Sequence, residues 1–278
     1  MKSPYYWNPT RWEDRGYFAP AAPADDPDLK EIGDVALWME TQEILAQAKA
    51  GDFRRLERLL DIHHATTRSH LLPWVCAQVV GDAGTPSCFA RMIRDLDDSL
   101  NPDTAGSFCK AFEAWGSLSS IPAIIQSYDR HFGAELMNAV PLHISSLIEP
   151  EWGPLSEFPS EDGLIAYEDR VLEQYEVLKQ KFGTDQVILL HGERFGVVSM
   201  VQRWLRGLKS GDDFERAKRS FYRRRFEAST GIDCSSIYKD GRFHPLTAAA
   251  ILEDFLASPA AARYEEGVRY FFGHRIPE

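Results

Sequence analysis

Phe53-Arg-Arg-Leu-Glu-Arg-Leu-Leu60, Phe89-Ala-Arg-Met-Ile-Arg-Asp-Leu96 and Ile125-Gln-Ser-Tyr-Asp-Arg-His-Phe132 are one segment met three times at a step of 36 residues. Apolar side chains fall into columns at that step: Phe53 with Phe89 and Ile125, Leu56 with Met92 and Tyr128, Leu60 with Leu96 and Phe132. A second set follows in each unit: Leu72 with Phe108 and Ile144, Val75 with Ala111 and Leu147, Cys76 with Phe112 and Ile148. Arg58, Arg94 and Arg130 also align, as do Ala50, Pro86 and Pro122. Within a unit the columns stand at i, i+3, i+7 and again at i, i+3, i+4, the spacing of amphipathic helices. Each unit is therefore two helices and two turns. Neither helix can bury its stripe alone, so adjacent units must share one core.

The spacing predicts first helices over residues 52–61, 86–97 and 122–132, and second helices over 67–80, 103–115 and 135–148. Pro86 and Pro122 suit a first helical turn, where the missing N–H had no partner to lose. Pro73 and Pro141 fall inside two second helices and imply a kink or a later start. The aligned arginines form a ladder with Asp95, Asp97 and Asp129 as neighbours. Residues 34–50 form a capping helix with Asp34 at its N-cap and Gly51 as its stop.

Outside the repeats the pattern changes. Residues 1–33 are dense in proline and aromatics, which excludes a helix and predicts an extended arm packing its rings on the folded body. Residues 151–162 read as an irregular crossing. Leu164–Phe182 is a long amphipathic helix ended by Gly183, Val187–Leu190 is a short apolar run that periodicity leaves open between a strand and a buried helix, and further helices cover 195–208, 212–228 and 246–256. The expected organisation is an arm (1–33), helical repeats with their cap (34–150) and a helical C-terminal region (151–278).

The composition is that of a globular chain, with 44% hydrophobic and 26% charged residues. The four cysteines show neither paired nor framework spacing, which predicts reduced, buried thiols in a cytoplasmic protein. No apolar run approaches a membrane span, and the N-terminus lacks the apolar core of a signal peptide. The net charge is −11. Residues 1–160 carry 13 Lys/Arg against 23 Asp/Glu, and residues 161–278 carry 18 against 19. Such acidity disfavours nucleic acid and anionic membranes and favours a basic protein partner, although it serves solubility equally.

No catalytic constellation stands out. His63, His64 and His70 lack metal-ligand spacing, so no metal is expected. His191-Gly-Glu193 ends an apolar run, and Cys234 precedes His244 by ten residues; either could serve a hydrolase, but nothing specifies their geometry. There is no GxSxG, P-loop or GxGxxG, and no cofactor is expected. The basic run Arg216, Lys218, Arg219, Arg223, Arg224 and Arg225 is interleaved with acids and reads as a solvated or salt-bridged face. On the second helices, Trp74, Glu113, Trp115, Glu149 and Glu151 would line a concave partner-binding surface, with tryptophan anchors beside carboxylates. On that reading, reversing Glu113 and Glu149 to lysine weakens binding and leaves the fold intact. The alternative places both tryptophans in the core.

Helix pairs at this step resemble HEAT-like repeats, giving an all-α fold: a solenoid of 36-residue period followed by an irregular helical half. Two later strings, Phe226-Glu-Ala-Ser-Thr-Gly-Ile-Asp-Cys-Ser235 and Tyr270-Phe-Phe-Gly-His-Arg-Ile-Pro277, are similar to immunity protein 47, a family of bacterial polymorphic-toxin systems. The resemblance implies a non-enzymatic protein that binds and neutralises a cognate toxin, and it carries over no functional residues. An intracellular scaffold or adaptor is the competing class, and a hydrolase a third.

Overall fold

The structure is a computed structural model and describes residues 16–18, 34–66, 71–151, 153–210, 216–239 and 242–278. Among these the chain is mostly helical. The helices are α1 (Val35–Lys49), α2 (Arg58–Ala65), α3 (Leu71–Ala83), α4 (Pro86–Asp98), α5 (Pro102–Trp115), α6 (Ile121–Arg130), α7 (Val140–Ile148), α8 (Leu164–Phe182), α9 (Val197–Ser210), α10 (Arg216–Thr230) and α11 (Pro245–Ala257). Three two-residue strand pairs accompany them: β1 (Leu189–Leu190) with β2 (Glu193–Arg194), β3 (Tyr238–Lys239) with β4 (Arg242–Phe243), and β5 (Tyr270–Phe271) with β6 (His274–Arg275).

Two compact units result, one of residues 77–195 and one of residues 1–76 with 196–278. This differs from the expected division at residue 150. The boundary falls inside α3, and residues 151–195 group with the second and third helix pairs. Most of the expected arm lies outside the described residues; only Gly16–Phe18 are seen, as a single 3-10 turn.

In the unit of residues 77–195, local sequence fixes several of the helix ends. Pro86 and Pro102 occupy the first turns of α4 and α5, and the Asn101 side chain accepts the Asp103 N–H at 2.9 Å. Pro141 sits in the first turn of α7, which starts later than the spacing predicts because residues 135–139 form a 3-10 turn. Gly116 and Gly183 end α5 and α8 in left-handed conformation. Helix α5 packs on α4 and α7, and α8 packs on α6 and α7. The aligned columns Met92/Tyr128, Phe108/Ile144, Ala111/Leu147 and Phe112/Ile148 are all buried. Burying each leucine, isoleucine, phenylalanine or methionine among them stabilises by about 1.5–3 kcal/mol, so these columns supply the unit's core.

The unit of residues 1–76 and 196–278 packs α9 on α10 and α11 around Trp204, Tyr222, Phe226 and Phe255. Trp204 stacks on Tyr222 at 6.2 Å, and Phe226 meets Phe255 edge-on at 5.2 Å. Tyr17 is buried and meets the rings of Phe271 and Phe272 at 5.4 and 5.8 Å. The side chain of Asp34 makes no cap bond to α1, contrary to expectation; its carbonyl accepts the Trp38 N–H instead.

The strand pairs obey one rule that periodicity does not reveal. Leu-Leu-His-Gly-Glu-Arg194, Tyr-Lys-Asp-Gly-Arg-Phe243 and Tyr-Phe-Phe-Gly-His-Arg275 all carry glycine at the fourth position. Each hairpin is closed by a backbone bond across seven residues: Phe195 N–H to Ile188 O, His244 N–H to Ile237 O, and Ile276 N–H to Arg269 O. His191–Gly192 and Phe272–Gly273 have positive φ at both turn residues, as a two-residue hairpin turn requires. In both cases the turn caps a helix. His191 and Gly192 donate to Ser146 O and Leu147 O of α7; Phe272 and Gly273 donate to Ala228 O and Ser229 O of α10. The acceptors are the second-last and third-last residues of the helix each time. The last turn of a helix leaves carbonyls without partners, and these N–H groups satisfy them.

Candidate partner-binding surface

Of the five residues expected to form a binding face, three are buried. Glu113 is only 3% exposed, and on α5 it pairs with Lys110, lies 3.2 Å from His143 Nδ1 and accepts from the Ser146 hydroxyl at 3.4 Å. Trp115 is buried at the end of α5, 4.8 Å from the Phe89 ring. Glu149 is buried beyond the end of α7, where it accepts from Ser145 Oγ and from the N–H groups of Gly153 and Leu155 at 3.2 Å. It holds the loop that leaves α7. Trp74 is half-buried and belongs to the other unit, and Glu151 alone is exposed. The second helices bury both flanks as well as their apolar stripe, so the leftover columns turn inward.

The arginine column is also rewired. Arg58 pairs with Glu40 and Asp61, but Arg130 donates to the backbone carbonyls of Asp97 and Ser99 rather than to a carboxylate. Of the solvated or salt-bridged basic face expected on α10, the i,i+4 pairing of Arg223 with Glu227 is present, but Arg223, Arg224 and Arg225 are buried rather than solvated. Arg223 Nε donates to Glu227 Oε1 at 3.0 Å, and the Cys234 N–H donates to the same oxygen. Burial nevertheless dominates at Glu227 and pushes its carboxyl up to about 7. The side chains of Arg216, Lys218 and Arg219 lie outside the described residues.

The candidate nucleophile Cys234 is fully buried, its sulfur turned to the Ile232 carbonyl, and burial pushes its thiol well up, while His244 is exposed. His191 is buried in its hairpin turn, and the neighbouring Glu193 is exposed and ion-paired with Lys181 at 3.0 Å. Turn formation and helix capping account for the His191-Gly192 pair.

Charge, by contrast, is sharply divided. Residues 77–195 carry 19 Asp/Glu against 8 Lys/Arg, while the other unit carries 23 of each. The whole net charge of −11 thus sits on one unit. Its longest helix, α8, shows where part of that charge faces water. Tyr167, Val171, Tyr175 and Leu178 are buried on one side. On the opposite side Ile165, Asp169, Leu172 and Glu176 fall within an arc of about 60° at 3.6 residues per turn. All four are exposed, Ile165 by 75% and Leu172 by 39%, with exposed Glu173 flanking the arc and exposed Val177 about 80° beyond its edge. Near the start of this face burial holds the Glu168 carboxyl above the ordinary range, with the like charges of Asp129 and Asp169 adding to it. Lys179, 3.8 Å from Glu176, closes the far end. The sequence contains this face, since Ile165 and Leu172 are seven residues apart while Tyr167, Val171, Tyr175 and Leu178 keep their own i, i+4, i+8, i+11 stripe. Counting all the apolar residues as one stripe concealed it.

Compared with models of protein families, with curated proteins and with solved structures, the chain gives no match. Among the described residues no helix is long and apolar enough to cross a membrane.

Proposed function

We propose that this chain is a cytoplasmic, non-enzymatic immunity protein that captures a basic toxin domain by stoichiometric binding. The observation that carries the reading is the confinement of all net charge to residues 77–195, at 19 acidic against 8 basic residues. Charge gathered on one unit creates a field that steers an oppositely charged partner and speeds its capture. General solubility needs no such separation. The two strings similar to immunity protein 47 add to this. They meet in space, where Phe272 and Gly273 cap the helix bearing Ala228 and Ser229. The strings are therefore one structural element, and a resemblance in both is a resemblance in that element. The helix pairs from α4 to α7 are read as degenerate HEAT-like repeats of a solenoid, whose buried columns keep the 36-residue step while their helix ends have drifted.

The test is rescue in the native host. A protein isolated with the tagged chain is expressed alone and together with it. The reading expects lethality alone and growth on co-expression, retained by Glu193→Ala and Cys234→Ala variants. A captured protein that is harmless when expressed alone overturns it.

A further inference from the structure

We infer that the outward face of α8 is the docking site for a basic protein segment carrying both Lys/Arg and apolar side chains; the inference rests on the proposed immunity reading for its partner. Two independent features place the site here. Ile165 and Leu172 are large apolar side chains, 75% and 39% exposed, on a helix whose opposite side already supplies the core contact. They are therefore not needed to hold α8 in place. Asp169 stands between them, and Glu173 and Glu176, the latter 3.8 Å from Lys179, follow on the unit that carries the entire negative excess.

The arrangement fixes the chemistry of the occupant. Apolar anchors spaced two helical turns apart need apolar counterparts, while carboxylates one turn apart beside them need cations at matching spacing. At the start of the face Glu168 is raised by burial and, beyond that, by the like charges of Asp129 and Asp169. An arriving lysine or arginine relieves that repulsion, which a neutral or acidic partner cannot do. A second copy of this unit would bring carboxylates against carboxylates. The complementary occupant is thus a basic amphipathic surface.

The experiment places a photo-reactive benzoylphenylalanine in the full chain at Ile165 or Leu172, and in separate chains at the exposed Leu100 and Leu246 as controls. After irradiation in the native host, the expected product joins positions 165 and 172 to one basic protein, and the controls give none. That protein, purified, then serves as ligand. Asp169→Lys with Glu176→Lys is expected to weaken its affinity about 100-fold at low salt. Reversal of the exposed Asp97 and Asp98 on the same unit should change it by less than about threefold. Cross-linking to a second copy, to residues 1–15 of the same chain or to an acidic protein overturns the inference. So does the absence of any adduct, or an equal loss in both reversal variants. Adducts to a basic protein that is harmless when expressed alone would leave the α8 site standing and remove only the immunity reading.

Discussion

The double reversal Glu113→Lys with Glu149→Lys separates a surface role from a structural one, and the structure makes its outcome a loss of fold. Lysine at 113 would replace the carboxylate between Lys110 and His143, leaving half-buried Lys110 beside an ammonium at a buried position. Breaking a buried pair in this way costs about 3–5 kcal/mol. Lysine at 149 would remove the acceptor of the Leu155 N–H and the Ser145 hydroxyl, both buried, at about 1–3 kcal/mol each. The lower bounds together give about 5 kcal/mol, comparable with the whole stability of many domains. At about 2–4 °C per kcal/mol for a chain of this size, the midpoint of thermal unfolding should fall by at least about 10 °C. Circular dichroism melts of the wild type, both single variants and the double variant measure this. Glu149→Gln, which keeps one acceptor oxygen, should lose less than Glu149→Lys. A double variant melting within about 2 °C of wild type would refute the burial argument and return both residues to the surface.

Other outcomes follow from the same geometry. Gly192→Ala puts a methyl group 3.1 Å from the Ile148 carbonyl at φ +71°, and should destabilise the unit of residues 77–195 by about 1–2 kcal/mol in urea unfolding. All four cysteines are buried, with the thiols of Cys76 and Cys109 pushed up to about 12, so a disulfide-exchange reagent at pH 8 should react with four thiols only after denaturation. Glu227, raised to about 7 from 4.5, binds its proton more tightly folded than unfolded, so its contribution is fully present below pH 4.5 and is lost as pH rises through 7. Glu227→Gln should remove a stability decline of up to about 3 kcal/mol across that window, read from urea midpoints at pH 5 and pH 7.5. An unchanged pH profile in Glu227→Gln would contradict the assignment.

How much of this was legible in the sequence depends on the kind of signal. Apolar periodicity placed α4, α5 and α8 within a residue or two, because proline at a first turn and glycine at a stop act locally. The same columns identified the core, since Met92, Phe108, Phe112, Tyr128, Ile144 and Leu147 are all buried. Polar residues were misplaced for a physical reason. A carboxylate next to an apolar stripe is indistinguishable in sequence from one facing water, and only the partners decide it. Glu113 found Lys110 on its own helix, whereas Glu149 found the N–H groups of Gly153 and Leu155 in the following loop. Two-residue strands leave no alternation to detect, so the sequence shows a possible strand only at Val187–Leu190, which holds β1, and marks the hairpins otherwise by the recurring glycine after His191, Asp240 and Phe272. The boundary inside α3 could not be read at all, since a helix shared by two units keeps an unbroken apolar pattern.

The most direct test of the central claim is the salt dependence of affinity between this protein and the purified basic partner, measured by calorimetry from about 50 to 500 mM salt, a range over which the screening length falls severalfold. The account predicts nanomolar or tighter binding at the low end, at least about tenfold weaker at the high end, and a flattened slope for Asp169→Lys with Glu176→Lys. Affinity that does not change with salt would contradict capture through the acidic unit.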